Sequence, residues 1–183
     1  MDTREYSAVI LQELAKTLSA IPAAAGEKLA RMVSLTERTF VAGVGRSGLA
    51  AKGFAMRLNH MGLPVAVCGE TTVPPIGAGD VFIALSGSGN TPTVRCLLEK
   101  AKAMSAHTVL ITANPNSDMG RLSEVVISVT APTREESSGK SMQPMGTLFE
   151  QSSQLFLDAV VLFLMEKLGC TAVDMKQNHT NME

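Results

Sequence analysis

The sequence predicts an α/β fold: a five-stranded, parallel, doubly wound sheet flanked by helices. Three observations carry that reading. After residue 38, short apolar runs alternate with helix-length segments. The runs are apolar on both faces, as strands are when helices cover a parallel sheet from both sides. Two of them end in glycine- and serine-rich loops that open directly into helices. In doubly wound sheets, ligands bind outside such carboxyl ends.

Taken in order, residues 3–19 carry Tyr6, Val9, Ile10, Leu14 and Leu18 at helical spacing. Pro22 opens a second helix through Val33. Residues 1–38 thus form a helical extension ahead of the sheet. Strands fall near 39–44, 64–68, 81–85, 108–112 and 125–129. Helices lie near 47–61 and 92–105, with a short one near 118–123. Ala131 to Lys140 is a polar loop, and a helix runs from Leu148 to Leu168. Between Leu155 and Met165 only Asp158 is strongly polar. A helix apolar all round is buried on all sides, which in a small domain predicts contact with another subunit. The run Val160–Met165 is too short to span a bilayer. The tail, Asp174 to Glu183, is polar enough to be disordered.

Composition removes several function classes. The 183 residues suit one domain with a sizeable core. A net charge of −1 gives no basic face for nucleic acid, and one Tyr with no Trp gives no base-stacking platform. Cys68, Cys96 and Cys170 are odd in number and lack metal-ligand spacing, so buried thiols in a reducing cytoplasm are expected. The start, Met1 to Glu5, has no signal-peptide core.

The loop Leu85-Ser86-Gly87-Ser88-Gly89-Asn90-Thr91-Pro92 is the strongest local signal. Glycines let backbone approach an anion, and a helix N-terminus offers unpaired N–H groups. Ser86, Ser88 and Thr91 add hydroxyl donors, with Gly87, Gly89 and Asn90 completing a phosphate cradle. A helix cap, Thr91 at N-cap and Pro92 at N1, explains only the last two residues. Upstream, Gly43-Val44-Gly45-Arg46-Ser47-Gly48 follows another strand. It matches the spacing of a dinucleotide loop, but the acidic residue expected about 20 positions later has only Glu70 as a rough candidate. Arg46 and Ser47 favour a small phosphorylated ligand. Arg46 also fits an ordinary surface arginine.

The two loops together resemble those of the SIS (sugar isomerase) domain, which builds this fold as a flavodoxin-like three-layer sandwich. The resemblance goes further. Phe54-Ala55-Met56-Arg57-Leu58, His60-Met61-Gly62 and Gly69-Glu70-Thr71-Thr72 look like the 6-phospho-3-hexuloisomerase family. So do Pro144-Met145-Gly146-Thr147-Leu148-Phe149-Glu150-Gln151 and the ending Asn178-His179-Thr180-Asn181-Met182-Glu183. The last two are the more specific. Thr180 and Met182 stand where that family commonly has Ala and Leu. The resemblance implies one SIS domain over 1–183, with residues 148–183 as a helix and catalytic tail. It implies interconversion of D-arabino-3-hexulose 6-phosphate and fructose 6-phosphate through an enediol, in formaldehyde fixation by the ribulose monophosphate pathway. No cofactor and no metal is implied. The expected partners are the sugar phosphate, further copies in a homotetramer, and 3-hexulose-6-phosphate synthase as the preceding enzyme.

That chemistry needs a base, a proton donor and positive charge for an oxyanion. His179 is the first candidate for base, since histidine titrates near neutral pH; a solvated tail histidine is the plain alternative. Glu150 is the second acid–base candidate, and Thr147-Leu148-Phe149-Glu150 also reads as a capping box with Thr147 at N-cap. Arg46 serves the oxyanion or the sugar hydroxyls. Ser47 joins the phosphate cradle. Glu70 and His60 are second-rank substrate contacts, His60 fitting an ordinary interface histidine as well. Two rivals stay open: another SIS aldose–ketose isomerase, such as one for arabinose 5-phosphate, or a non-catalytic sugar-phosphate regulator. The first generally adds small domains and the second a DNA-binding module. The 38 residues before the first strand lack a basic recognition helix.

Overall fold

Five parallel strands pair in the order β2-β1-β3-β4-β5. They are β1 (Thr39–Gly43), β2 (Val65–Val67), β3 (Val81–Leu85), β4 (His107–Thr112) and β5 (Val125–Ser128). The computed structural model describes residues 1–132 and 141–182; most of the polar loop expected at 131–140, and Glu183, lie outside them. The helices are α1 (Thr3–Ser19), α2 (Ala23–Leu35), α3 (Gly45–His60), α4 (Pro92–Ala103), α5 (Asp118–Leu122), α6 (Thr147–Leu168) and α7 (Ala172–Gln177). The α/β architecture expected from the alternating runs is the one observed.

Side-chain alternation along the strands builds two cores. Val41, Ile83, Leu85, Val109, Ile111 and Ile127 face one side, where they meet α2, α3 and α6. Phe40, Ala42, Phe82, Ala84 and Leu110 face the other, against Val94, Leu98 and Ala101 of α4 and Met119 of α5. From β1 the chain moves outward to β2, then returns past β1 to β3. The winding direction therefore reverses between β1 and β3, the place where such sheets open a crevice. Gly43 pairs with Leu85 in register, so the loops that follow open side by side.

Three details differ from the sequence reading. The third helix starts at Gly45 rather than near 47, which puts Arg46 and Ser47 in its first turn. The first part of the tail is helical, in α7, where Thr171 and Asp174 make a reciprocal capping box. And α6 is not buried on all sides. Leu155, Ala159 and Leu162, spaced one and two turns apart, lie exposed in a stripe, with Leu162 at 68%. At 22 residues and mean hydropathy 1.3, α6 has the length and composition of a membrane span, because polar residues only interrupt the apolar run and do not end it. Here it packs against α1, α2 and α3, with Phe149, Leu157 and Leu164 in the core.

Candidate active site

The first loop is shaped by backbone contact. A Cβ on Gly48 would sit 2.7 Å from the carbonyl oxygen of Gly43, well inside van der Waals distance. Only glycine at 48 lets α3 start this close to the end of β1. No side chain among the described residues caps α3, so its first turn presents Arg46, Ser47 and N–H groups at the mouth of the crevice.

The second loop is cross-linked from within. Ser86 is buried, and its hydroxyl shares a 2.9 Å hydrogen bond with Thr91 Oγ1 and accepts the N–H of Gly89 at 3.2 Å. Ser88 Oγ accepts the N–H of Asn90, and Asn90 Oδ1 accepts that of Asp118. Gly89 has φ +67°, and a Cβ there would collide with Ser117 Oγ. Thr91 holds the N-cap position of α4 but makes no capping bond with its side chain, since that hydroxyl is turned to Ser86. Ser47, Ser88 and Thr91 are half-buried and Asn90 is exposed. Gly87 packs against the Phe149 ring of α6, tying this loop to the next component.

Glu150 lies in the first turn of α6, and its Oε2 is 2.6 Å from Arg46 Nε. Two helix starts thus place a cation and a carboxylate face to face. The expected capping box does not form. Gly146 takes the N-cap position, and Thr147 Oγ1 instead donates to the carbonyl of Pro144 at 2.6 Å. Glu150 is left to Arg46. A cleft of about 520 Å³ opens on the pair, walled by Leu14, Leu49, Ala50 and Leu155 as well. That volume suits a small phosphorylated sugar. Gln151 and Gln154 stand in the same walls and are absent from the sequence-based candidates. Gln151 sits within the Phe149-Glu150-Gln151 motif, which is the signal that could have found it. The side chains of the second loop do not wall this cleft.

The remaining candidates lie elsewhere. Glu70, just past β2, accepts a 2.7 Å bond from Lys52 Nζ; that hydrogen bond and the charge behind it hold its carboxyl below the ordinary range. His60 ends α3, fourteen residues after Arg46, or about 21 Å along the helix axis at 1.5 Å per residue. His179 joins it there, with ring centroids 5.0 Å apart. Asn178 Nδ2 donates to the His60 carbonyl at 2.9 Å, docking α7 on that end of α3. Within one chain, therefore, Arg46 and Glu150 come together while His179 stands at the far end of the same helix.

Among the described residues no group of three or more His, Cys, Asp or Glu has the arrangement of a metal site. Cys68, Cys96 and Cys170 are free thiols but not the buried ones expected: Cys96 is exposed and the other two are half-buried, and the partial burial of Cys68 pushes its thiol up to about 11.

The SIS domain family model matches residues 32–153, from within α2 to the first turns of α6. The 3-hexulose-6-phosphate isomerase of Bacillus subtilis (strain 168) is 42% identical over 185 residues, all of both chains. That of Mycobacterium gastri is 37% identical over 183 residues, covering 100% of this chain and 92% of its own. A solved Methanococcus jannaschii protein, whose structure was reported to infer a molecular function of 3-hexulose-6-phosphate isomerase, superposes with a TM-score of 0.87 at 27% identity. That match covers 98% of this chain and 99% of the other. The chain belongs to the SIS domain family and, within it, to the family of 3-hexulose-6-phosphate isomerases.

Proposed function

We propose that the protein interconverts D-arabino-3-hexulose 6-phosphate and D-fructose 6-phosphate, following 3-hexulose-6-phosphate synthase in formaldehyde fixation. The observation that carries this is the Arg46–Glu150 pair at 2.6 Å, at the mouth of the β1/β3 crevice, with Phe149, the neighbour of Glu150, packed on Gly87 of the serine-rich loop. Moving a carbonyl from C3 to C2 needs no change of oxidation state overall. A base takes the C2 proton, an enediolate spans C2 and C3, and a proton returns to C3. A phosphate held by Ser47, Ser88, Asn90, Thr91 and the glycine N–H groups fixes the far end of the sugar. Arg46 then meets the negative charge that develops on oxygen, and Glu150 carries protons between the oxygens.

His179 is the base that takes the C2 proton. It does so from a neighbouring subunit, because its own chain holds it about 21 Å of helix away from Arg46. The assembly is a homotetramer. The uncovered α6 stripe and the exposed Leu49 and Met56 of α3 support an assembly. Three free thiols suit the reducing cytoplasm in which sugar phosphates are handled.

A coupled assay tests the function. 3-Hexulose 6-phosphate is made in situ from formaldehyde and ribulose 5-phosphate, and fructose 6-phosphate is read with a dehydrogenase pair. Steady production that depends on this protein is expected. Accumulation of the hexulose phosphate, with isomerisation of arabinose 5-phosphate instead, would move the activity to the rival substrate.

A further inference from the structure

The cleft that holds Glu150 is built partly by α1, a helix whose own buried residues are only Leu14 and Thr17. Leu14 walls the cleft. Its neighbour Glu13 does something else: it reaches across to the segment that leads into α6. Its carboxylate accepts three hydrogen bonds there, from Ser141 Oγ at 2.8 Å, from Met142 N–H at 2.8 Å and from Gln143 Nε2 at 3.1 Å. Both oxygens are used. Burial alone would raise the carboxyl's pKa; the bonds from Met142, Ser141 and Gln143 outweigh it and hold the group below its ordinary value.

From that anchor the chain to Glu150 is short, with local hydrogen bonds on either side of Met145. Gln143 N–H donates to Ser141 Oγ. Thr147 donates to the Pro144 carbonyl through both its N–H and its hydroxyl. Glu150 N–H donates to the Gly146 carbonyl at 3.0 Å. Between them Met145 has φ +60°, a backbone state that a side-chain-bearing residue keeps only where its surroundings impose it. Glu13 grips one side of that residue, and the first turn of α6 grips the other.

We propose that Glu13 is a positioning residue for Glu150: it fixes segment 141–143 against α1, and through it the first turn of α6 that aims Glu150 at Arg46. The proposal rests on Glu150 working in the isomerisation. Glu13 does not wall the cleft that opens on Glu150. It acts by keeping a carboxylate within reach of a proton, where displacement of about 1 Å is enough to cost about a hundredfold in rate. A glutamine at 13 keeps the size of the side chain but has one acceptor oxygen in place of two and adds an amide donor facing the Met142 N–H.

The test is a double-mutant cycle on the full-length protein, using Glu13→Gln, Glu13→Ala, Glu150→Gln and the Glu13→Gln/Glu150→Gln pair. Isomerase kcat and KM, slow exchange of deuterium from solvent into fructose 6-phosphate, and thermal unfolding are followed for each. Glu13→Gln is expected to lower kcat about 10- to 100-fold with KM for the phosphorylated substrate nearly unchanged. Its effect on exchange should vanish when Glu150 is already Gln, since two groups that act as one do not add. A purely structural Glu13 would lower the melting temperature and leave kcat of the folded enzyme intact, which overturns the proposal. So would an equal loss in both backgrounds. Should Glu13→Ala fail to fold, the Gln variant of the same size decides. If Glu150→Gln keeps wild-type turnover, it is the role of Glu150 that fails.

Discussion

Arg46 and Glu150 meet because two helices begin within reach of each other, one after β1 and one after the segment that Glu13 holds. Replacing Glu150 by Gln removes a proton acceptor while preserving shape, so kcat should fall about 10²–10⁴-fold with little change in KM. Steady-state kinetics in the coupled assay checks this; turnover within about twofold of wild type would exclude an acid–base role. The serines divide differently. Ser88→Ala removes one hydroxyl from the proposed phosphate cradle, worth about 1.5–3 kcal/mol when charge-assisted. Ser86→Ala instead breaks the internal bonds to Thr91 and Gly89, and should lose about 1 kcal/mol of stability. Calorimetry with fructose 6-phosphate, paired with thermal melts, separates the two. Equal behaviour of both variants would mean that burial of Ser86 makes no difference.

Elements set where these groups point. The β1–α3 junction depends on Gly48, and Gly48→Ala would press a methyl group against the Gly43 carbonyl. Overpacking of this kind costs about 1–3 kcal/mol, and here it also swings Arg46 away from Glu150. Stability and kcat should therefore fall together, whereas a helix-stabilising effect of alanine would raise the melting temperature. At α1 the effect follows pH. The folded-state carboxyl of Glu13 titrates below its ordinary 4.5, so its contribution is present above that value and is lost as pH falls through the lower, folded one. Melting temperatures of wild type and Glu13→Gln should differ at neutral pH and converge under acid. A gap that persists unchanged at pH 3 would show that charge is not what makes Glu13 hold the segment.

The same elements show what a sequence can reveal. Strands such as Val81–Leu85 are legible because a buried parallel strand is apolar throughout, and both loops are legible because glycine and hydroxyl residues after a strand have few other uses. The Arg46–Glu150 pair is not, since 104 positions separate its members and nothing local couples them. Glu150 even satisfies a local capping pattern that the structure leaves unmade, because Pro144 takes the Thr147 hydroxyl and Arg46 takes the carboxylate. The tail misleads in the opposite sense. Its polar composition suggests disorder, yet Thr171 and Asp174 cap a short helix and Asn178 docks it on His60. Gln154 and Glu13 depend wholly on tertiary contacts.

At the scale of the whole molecule, one chain has the Arg46–Glu150 pair at one end of α3 and His179 at the other. If copies of the chain complete one another, the α6 stripe is the place to separate them. Leu162→Glu should dissociate the assembly and abolish activity together, as light scattering and the coupled assay would record; an active monomer would refute sharing. The most direct measurement mixes two inactive variants, His179→Gln and Glu150→Gln, by producing both in the same cells and assaying the purified mixture. A site that draws Glu150 from one subunit and His179 from its neighbour should recover about a quarter of wild-type fructose 6-phosphate production, because random assembly makes about that share of sites whole. A mixture as inactive as either parent, despite subunit exchange, would place both residues in the same chain's site and contradict the shared active site.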